Sequence, residues 1–223
     1  MFGLSFGLFV LFLFLGVPIA FSMGLGSAIA LFISGAVDPV LVGHKLFTGV
    51  DSFSLMAIPF FMLSGELMEQ GGLSKRLVNL SSALIGHITG GLGLVDVLTS
   101  VIFAGISGSA AADTAAVGSM MIPGMKKKGY PGGLAAVIQA CAGSLGPIIP
   151  PSMTMIIYCS LTNTSIAALF MAGVIPGLLI GLSVALLTFF YAKKLGIRGE
   201  KRSTLREILA ALREALWAII MPL

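Results

Sequence analysis

The sequence predicts an all-α polytopic membrane protein that contains a re-entrant helical hairpin and a discontinuous helix. The 223 residues are 57% hydrophobic and 10% charged, with a mean hydropathy of +1.06, well outside the range of soluble domains. Two long apolar stretches are interrupted internally, one by Ser107-Gly108-Ser109-Ala110-Ala111-Ala112-Asp113-Thr114 and one by Gly143 to Ser152. Twelve of the 13 Lys and Arg residues fall in four stretches, 75–76, 126–128, 193–202 and 206–213. Cationic residues concentrate on the cytoplasmic side of membrane proteins, so these clusters set orientation. The net charge of +4 is therefore assigned to topology rather than to nucleic-acid binding.

Residues 1–72 are read as N-terminal helices. The run 1–35 is broken at Gly16-Val17-Pro18 and suits either one tilted helix or two short ones. It carries no basic leader region and its apolar run is too long for a cleaved signal, so it is expected to be retained. Val37 to Asp51 reads as an extracytoplasmic connection or a short interfacial helix. Residues 53–70 make a span with Pro59 near its start and Glu66 and Glu69 near its inner end.

Residues 73–87 predict an amphipathic helix along the cytoplasmic surface, with Ser74 as N-cap and an end near Gly86. Leu73, Leu77, Leu80 and Leu84 recur at helical spacing, while Lys75, Arg76, Asn79 and Ser82 take other faces. Residues 88–128 predict the hairpin, its first limb opening after Gly90-Gly91 and its second closing at Pro123-Gly124. Cations at both ends place both ends in the cytoplasm and leave the polar tip partway across, where irregular backbone must be buried in protein or line a wet cavity.

Residues 129–165 predict the discontinuous helix. Pro147, Pro150 and Pro151 remove backbone donors and free carbonyls near the bilayer midplane. Residues 166–192 form a further span closed by Lys193-Lys194. Residues 193–223 form a basic, amphipathic connector, with Met221-Pro222-Leu223 expected to open another apolar segment.

Paired discontinuous elements are a signature of secondary transporters, in which half-helix N-termini face anions and unwound carbonyls coordinate cations. The hydroxyls of Ser107 and Ser109 suit a hard cation, although small residues also simply pack membrane helices. Asp113 either caps the second limb or supports a cation electrostatically. Asp96 and Glu66 read as packing or interfacial residues, and His87 as an interfacial turn residue. An organic anion would take donors from the tip N–H groups and from Ser109, Ser152 and Thr154. Cys141 and Cys159 sit singly in apolar segments, which argues against a disulfide or a metal centre. No paired carboxylates, His cluster or nucleophile with a base stands out, so no enzyme is expected.

Several motifs taken together carry a family resemblance. They are Phe61-Met62-Leu63-Ser64-Gly65-Glu66-Leu67-Met68, Ile85-Gly86-His87-Ile88-Thr89-Gly90-Gly91-Leu92, Phe103-Ala104-Gly105-Ile106-Ser107-Gly108-Ser109-Ala110, Gly129-Tyr130, Gly146 through Ser152, and Ala172-Gly173-Val174-Ile175-Pro176-Gly177. The chain resembles the large membrane subunit of a tripartite ATP-independent periplasmic (TRAP) transporter. The resemblance implies a Na⁺-coupled importer of an organic anion, such as a C4-dicarboxylate or sugar acid, in the bacterial inner membrane. It also implies a periplasmic substrate-binding protein and a small membrane subunit as partners. The family's large subunit has two inverted repeats and works as an elevator, and this chain matches the first repeat, so a C-terminal half is expected to complete it.

By the same similarity, Na⁺ as coupling ion would take hydroxyl or carbonyl oxygens of Ser107 and Ser109 and the backbone carbonyls of Gly146, Ile149 and Pro151. Inversion further implies two crossings within 1–35 and a periplasmic N-terminus. A binding-protein-independent Na⁺/dicarboxylate symporter of similar hairpin architecture and a non-transporting membrane scaffold subunit are the alternatives.

Overall fold

The computed structural model describes residues 2–35 and 38–220, and every regular element among them is helical. The predicted start of a further segment at 221–223 lies outside the described residues. The chain divides into two compact units, residues 1–53 and 54–223.

In the first unit, α1 (Phe2–Phe14) and α2 (Ile19–Ser34) are separate helices, which resolves the ambiguity of the 1–35 run. Pro18 precedes α2 with φ −54° and ψ 143°, an extended conformation no helix could continue through. The two helices pack so closely that a Cβ on Gly26 would meet the backbone N of Phe9 at 3.0 Å. At 1.5 Å per residue, α1 and α2 are roughly 20 and 24 Å long, short of the ~30 Å hydrocarbon core. Helix α3 (Pro39–Val50) follows, capped by Asp38, whose side chain accepts from the Val40 N–H at 2.9 Å.

The second unit is organised around a helical hairpin. Helix α4 (Phe53–Gln70) passes through Pro59 and leads to α5 (Leu73–Ile85). Ser74 does not cap α5: Gly72, in the left-handed conformation at φ 73°, occupies the N-cap, and Ser74 is buried one residue inside the helix. Of the predicted stripe, Leu73, Leu77 and Leu80 are buried, with Lys75 and Arg76 exposed, but Leu84, in the last turn of the helix, is exposed.

Helices α6 (Gly91–Ser107) and α7 (Ala110–Lys127) form the hairpin. Their limbs run antiparallel to the base, where a Cβ on Gly124 would lie 3.8 Å from Leu92 Cδ1. Pro123 lies inside α7 and does not close it, because helix packing carries the limb on to Lys127. The interrupted segment gives α8 (Gly132–Gly143) and α9 (Met153–Thr162) flanking a non-helical 144–152. Helix α10 (Ile166–Lys194) is, among the described residues, the one helix long and apolar enough to cross a membrane unaided. Helix α11 (Leu205–Ile220) opens with a capping box, in which the Thr204 N–H and hydroxyl donate to Glu207 at 2.7 and 2.9 Å. These bonds hold the Glu207 carboxyl below its usual range.

The core lies between α5, α6, α7, α8 and α10, with Leu77, Val95, Phe103, Val117, Met125 and Leu145 almost wholly buried. At the hairpin base, Tyr130 donates to the Gly90 carbonyl at 2.8 Å and accepts from the Gly93 N–H at 3.3 Å. The connector returns to the same place: Gly90 N–H donates to Ile197 O at 3.1 Å, and Glu200 N–H donates to Gly86 O at 2.8 Å. The base is thus tied at three chain positions. Tyr130→Phe takes the phenol from the Gly93 N–H, while the Gly90 carbonyl keeps the Leu94 N–H at 3.1 Å, so it is expected to cost about 1–3 kcal/mol. Denaturant unfolding of the purified protein in detergent checks this, and an unchanged midpoint would remove the phenol from the account.

Candidate functional site

The two interruptions meet. Ser107 ends α6, Gly108 turns the chain at φ 60°, and Ser109 starts α7 by accepting the Ala112 N–H on its hydroxyl at 3.4 Å. Gly108 is required twice over. Its φ is one that L side chains rarely adopt, and a Cβ there would lie 2.7 Å from the Pro151 carbonyl oxygen and 3.1 Å from Met153 N. The second contact is at Gly146, whose Cβ would lie 2.6 Å from Asp113 Oδ2, 2.9 Å from Ser109 C and 3.0 Å from Ala110 N. Two backbones therefore touch through two glycines, one from each interruption.

Asp113 is wholly buried beside this contact. Its first oxygen accepts a short hydrogen bond from the Ser107 hydroxyl, and Ser107 Oγ in turn accepts the Ser109 N–H at 3.1 Å. Its second oxygen, Oδ2, has no hydrogen-bond partner and faces Gly146. Capping is thereby excluded as its role, because Ser109 already holds that position and the Asp113 side chain reaches back to Ser107. A buried carboxylate oxygen without a donor is costly, and a cation at the contact would offset that cost.

On the other side, none of the hydrogen bonds between described residues outside the helices ends on the carbonyl oxygen of Gly146, Ile149 or Pro151. Oxygen atoms from both interruptions lie at the contact, the Pro151 carbonyl oxygen against Gly108 and Asp113 Oδ2 against Gly146. Among the described residues, no group of three His, Cys, Asp or Glu side chains converges.

Of the anion-binding candidates, Ser152 and Thr154 lie together, their hydroxyls 2.9 Å apart. Ser152 is fully buried, donates to the Pro147 carbonyl at 2.7 Å and caps α9 through Met155 N–H at 3.3 Å. Thr154 is exposed and also donates to Pro147 O, at 3.1 Å. Ser109 is partly exposed and lines a cavity of about 130 Å³ with Phe61, Glu66, Glu69, Phe103 and Met153. The whole assembly lies against the middle of α10, since a Cβ on Gly173 would approach Ile148 O at 2.7 Å and one on Gly177 would approach Ile149 Cγ1 at 2.7 Å.

Sequence reasoning missed Gln139. This α8 residue is fully buried, and its side-chain amide donates to the Asp113 carbonyl at 3.3 Å. A lone Gln within an otherwise apolar helix was the available signal. Asp96, read as a packing or interfacial residue, is wholly buried, which agrees with packing and not with an interfacial place. Glu66 is exposed and accepts from Gln70 at 3.0 Å.

Comparison with known proteins adds the lineage. The profile described as tripartite ATP-independent periplasmic transporter, DctM component, matches residues 6–223. The chain is 43% identical to the isethionate TRAP transporter permease protein DctMQ of Oleidesulfovibrio alaskensis, over 97% of this chain and 34% of that protein. It is 43% identical to the 2,3-diketo-L-gulonate TRAP transporter large permease protein YiaN of Escherichia coli, over 93% of this chain and 49% of that one. It is also 43% identical to the C4-dicarboxylate TRAP transporter large permease protein DctM of Pseudomonas aeruginosa, over 90% and 47% respectively. The chain thus spans about half, or less, of the length of these curated relatives.

Proposed function

The chain belongs to the tripartite ATP-independent periplasmic transporter family as its DctM component, a membrane transport permease, and we propose that it is the N-terminal half of a Na⁺-coupled importer of an organic anion. The substrates named for the relatives, isethionate, 2,3-diketo-L-gulonate and C4-dicarboxylates, are all organic anions. In this reading the protein lies in the bacterial inner membrane with a small membrane subunit, receives its substrate from a periplasmic binding protein and is completed by a C-terminal half.

The observation that carries the reading is the buried, unpartnered Oδ2 of Asp113 at the contact between the hairpin tip and the broken helix. Ser107, Ser109 and the carbonyls of Gly146, Ile149 and Pro151 would hold the ion. Bound there, Na⁺ supplies the positive charge that Asp113 lacks and that an incoming carboxylate or sulfonate requires. Ser107 orients Asp113, and Ser152 braces the loop through Pro147. Ser109 and Thr154 remain as the hydroxyls able to reach an anion, helped by the tip N–H groups. Elevator movement would carry the hairpin and the broken helix as one body, joined at Gly108 and Gly146.

The test is the double substitution Ser107→Ala with Ser109→Ala in the complete transporter. The Na⁺ concentration for half-maximal uptake is expected to rise about tenfold or more, the equivalent of one lost charge-assisted contact. Membrane insertion is expected to persist. An unchanged Na⁺ dependence would sink the assignment of these hydroxyls.

A further inference from the structure

One cation is left over by the orientation argument. Twelve of the 13 Lys and Arg residues lie in the four stretches assigned to topology, and the thirteenth is Lys45. It stands on α3, where Leu41, Val42, Lys45 and Leu46 occupy one face of the helix at i, i+1, i+4 and i+5. That face lines a groove of about 710 Å³ whose opposite wall is α2, with Gly24 and Ala28 among the small residues there that leave it open. Lys45 is the only charged residue of the lining, which is otherwise apolar apart from one serine.

A groove of this size falls within the roughly 300–1,000 Å³ of ligand pockets, and its apolar walls gain by being covered. Inside a bilayer two kinds of occupant are at hand, an acyl chain and a helix of another subunit, and Lys45 discriminates between them. A helix laid into the groove would enclose the ammonium against apolar side chains, which is costly unless an acid faces it. Among the described residues no carboxylate lies within ion-pair distance of Lys45, the one such pair being Lys128 with Glu200 at 2.9 Å. A phospholipid supplies both requirements together, a chain for the walls and a phosphate for the ammonium. The lysine stem suits that arrangement, because it lies along apolar surface while its charged head reaches the interface.

We propose that the α2–α3 groove is a phospholipid site, in which an acyl chain lies between the two helices and the lipid phosphate pairs with Lys45. The lipid fills a space that the helices do not close, and so braces the first unit. The site depends only on the protein's place in a membrane and is independent of the cation reading above.

Native mass spectrometry of the complete transporter, titrated with dioleoyl phosphatidylglycerol and with dioleoylglycerol, tests the site. The wild type is expected to hold the phospholipid more tightly than the glycerolipid, which has the same chains and no phosphate. Lys45→Gln is expected to weaken phosphatidylglycerol about fivefold, the effect of one lysine beside an anionic headgroup, and to leave dioleoylglycerol unchanged. Lys45→Arg should keep the wild-type preference. Gly24→Leu, whose added carbon meets nothing within 4 Å, fills the groove and should abolish tight lipid binding. Gly43→Leu, equally unobstructed but outside the lining, should not. A wild type without the phosphate preference, or a preference that survives Lys45→Gln or Gly24→Leu, overturns the proposal. A photo-crosslinking residue at Leu46 supplies the second readout where a variant does not insert. It should yield a lipid adduct, and an adduct to another protein chain would overturn the lipid in favour of a helix.

Discussion

Gly146→Ala is expected to raise the Na⁺ concentration needed for half-saturation by about ten- to a hundredfold, with Gly133→Ala as a silent control. The alanine methyl would sit 2.6 Å from Asp113 Oδ2 and about as tightly against the backbone atoms Ser109 C, at 2.9 Å, and Ala110 N, at 3.0 Å. A flexible side chain could move aside, but the tip backbone cannot move without opening the contact that gathers the ligands. Overpacking of this kind costs about 1–3 kcal/mol, which is the origin of the stated range. At Gly133 nothing lies within 4 Å of the added carbon, so its substitution should change neither insertion nor Na⁺ dependence. Titrating Na⁺ against uptake, or against thermal stability, checks both variants. Equal behaviour of the two would mean that the tip and the loop do not act together.

Asp113→Asn should produce two effects of opposite sign. The amide keeps the shape of the carboxylate and can still accept from Ser107, but it removes a buried charge that lacks a partner on Oδ2. In the absence of Na⁺ the variant should be at least as stable as the wild type, because neutralising an uncompensated buried charge relieves its desolvation cost. In the presence of Na⁺ it should gain little, with the half-saturating concentration raised at least about tenfold. Unfolding midpoints measured with and without Na⁺ separate these effects. A variant destabilised in both conditions and stabilised by Na⁺ as strongly as the wild type would make Asp113 a structural residue only.

How much of this was legible depended on the kind of signal. The interruption at Gly143–Ser152 was readable because prolines break a helix, and the ends of α8 and α9 bracket it, whereas the one read at Ser107–Thr114 shrinks to Gly108 and Ser109, because α7 already starts at Ala110. Local rules failed where packing outweighed them. Pro123 does not end α7, although as a helix breaker it suggested that boundary. Ser74 is a good cap by type, but the chain turns at Gly72, so the serine enters the helix and is buried there. The site itself was half legible. Ser107 and Ser109 announced themselves by clustering, whereas Asp113 was ambiguous because its role depends on a loop about 33 residues later in the chain, set beside it by helix packing no local rule describes. Gln139 was invisible for the same reason: its partners, Asp96 and Asp113, lie on two other helices.

The most direct test of the central claim is the thermal unfolding midpoint of the complete large subunit, purified with its small membrane partner, as NaCl replaces KCl at constant ionic strength. A cation held between the hairpin tip and the broken helix binds the folded state and not the unfolded chain, so stability should rise with Na⁺ as RT ln(1 + [Na⁺]/Kd), about 2.7 kcal/mol at a hundred times Kd. In the Ser107→Ala, Ser109→Ala variant, with binding weakened about tenfold, the rise at the same Na⁺ concentration should shrink to about 1.4 kcal/mol. Midpoints that are the same in NaCl and KCl across the titration would contradict the sodium site.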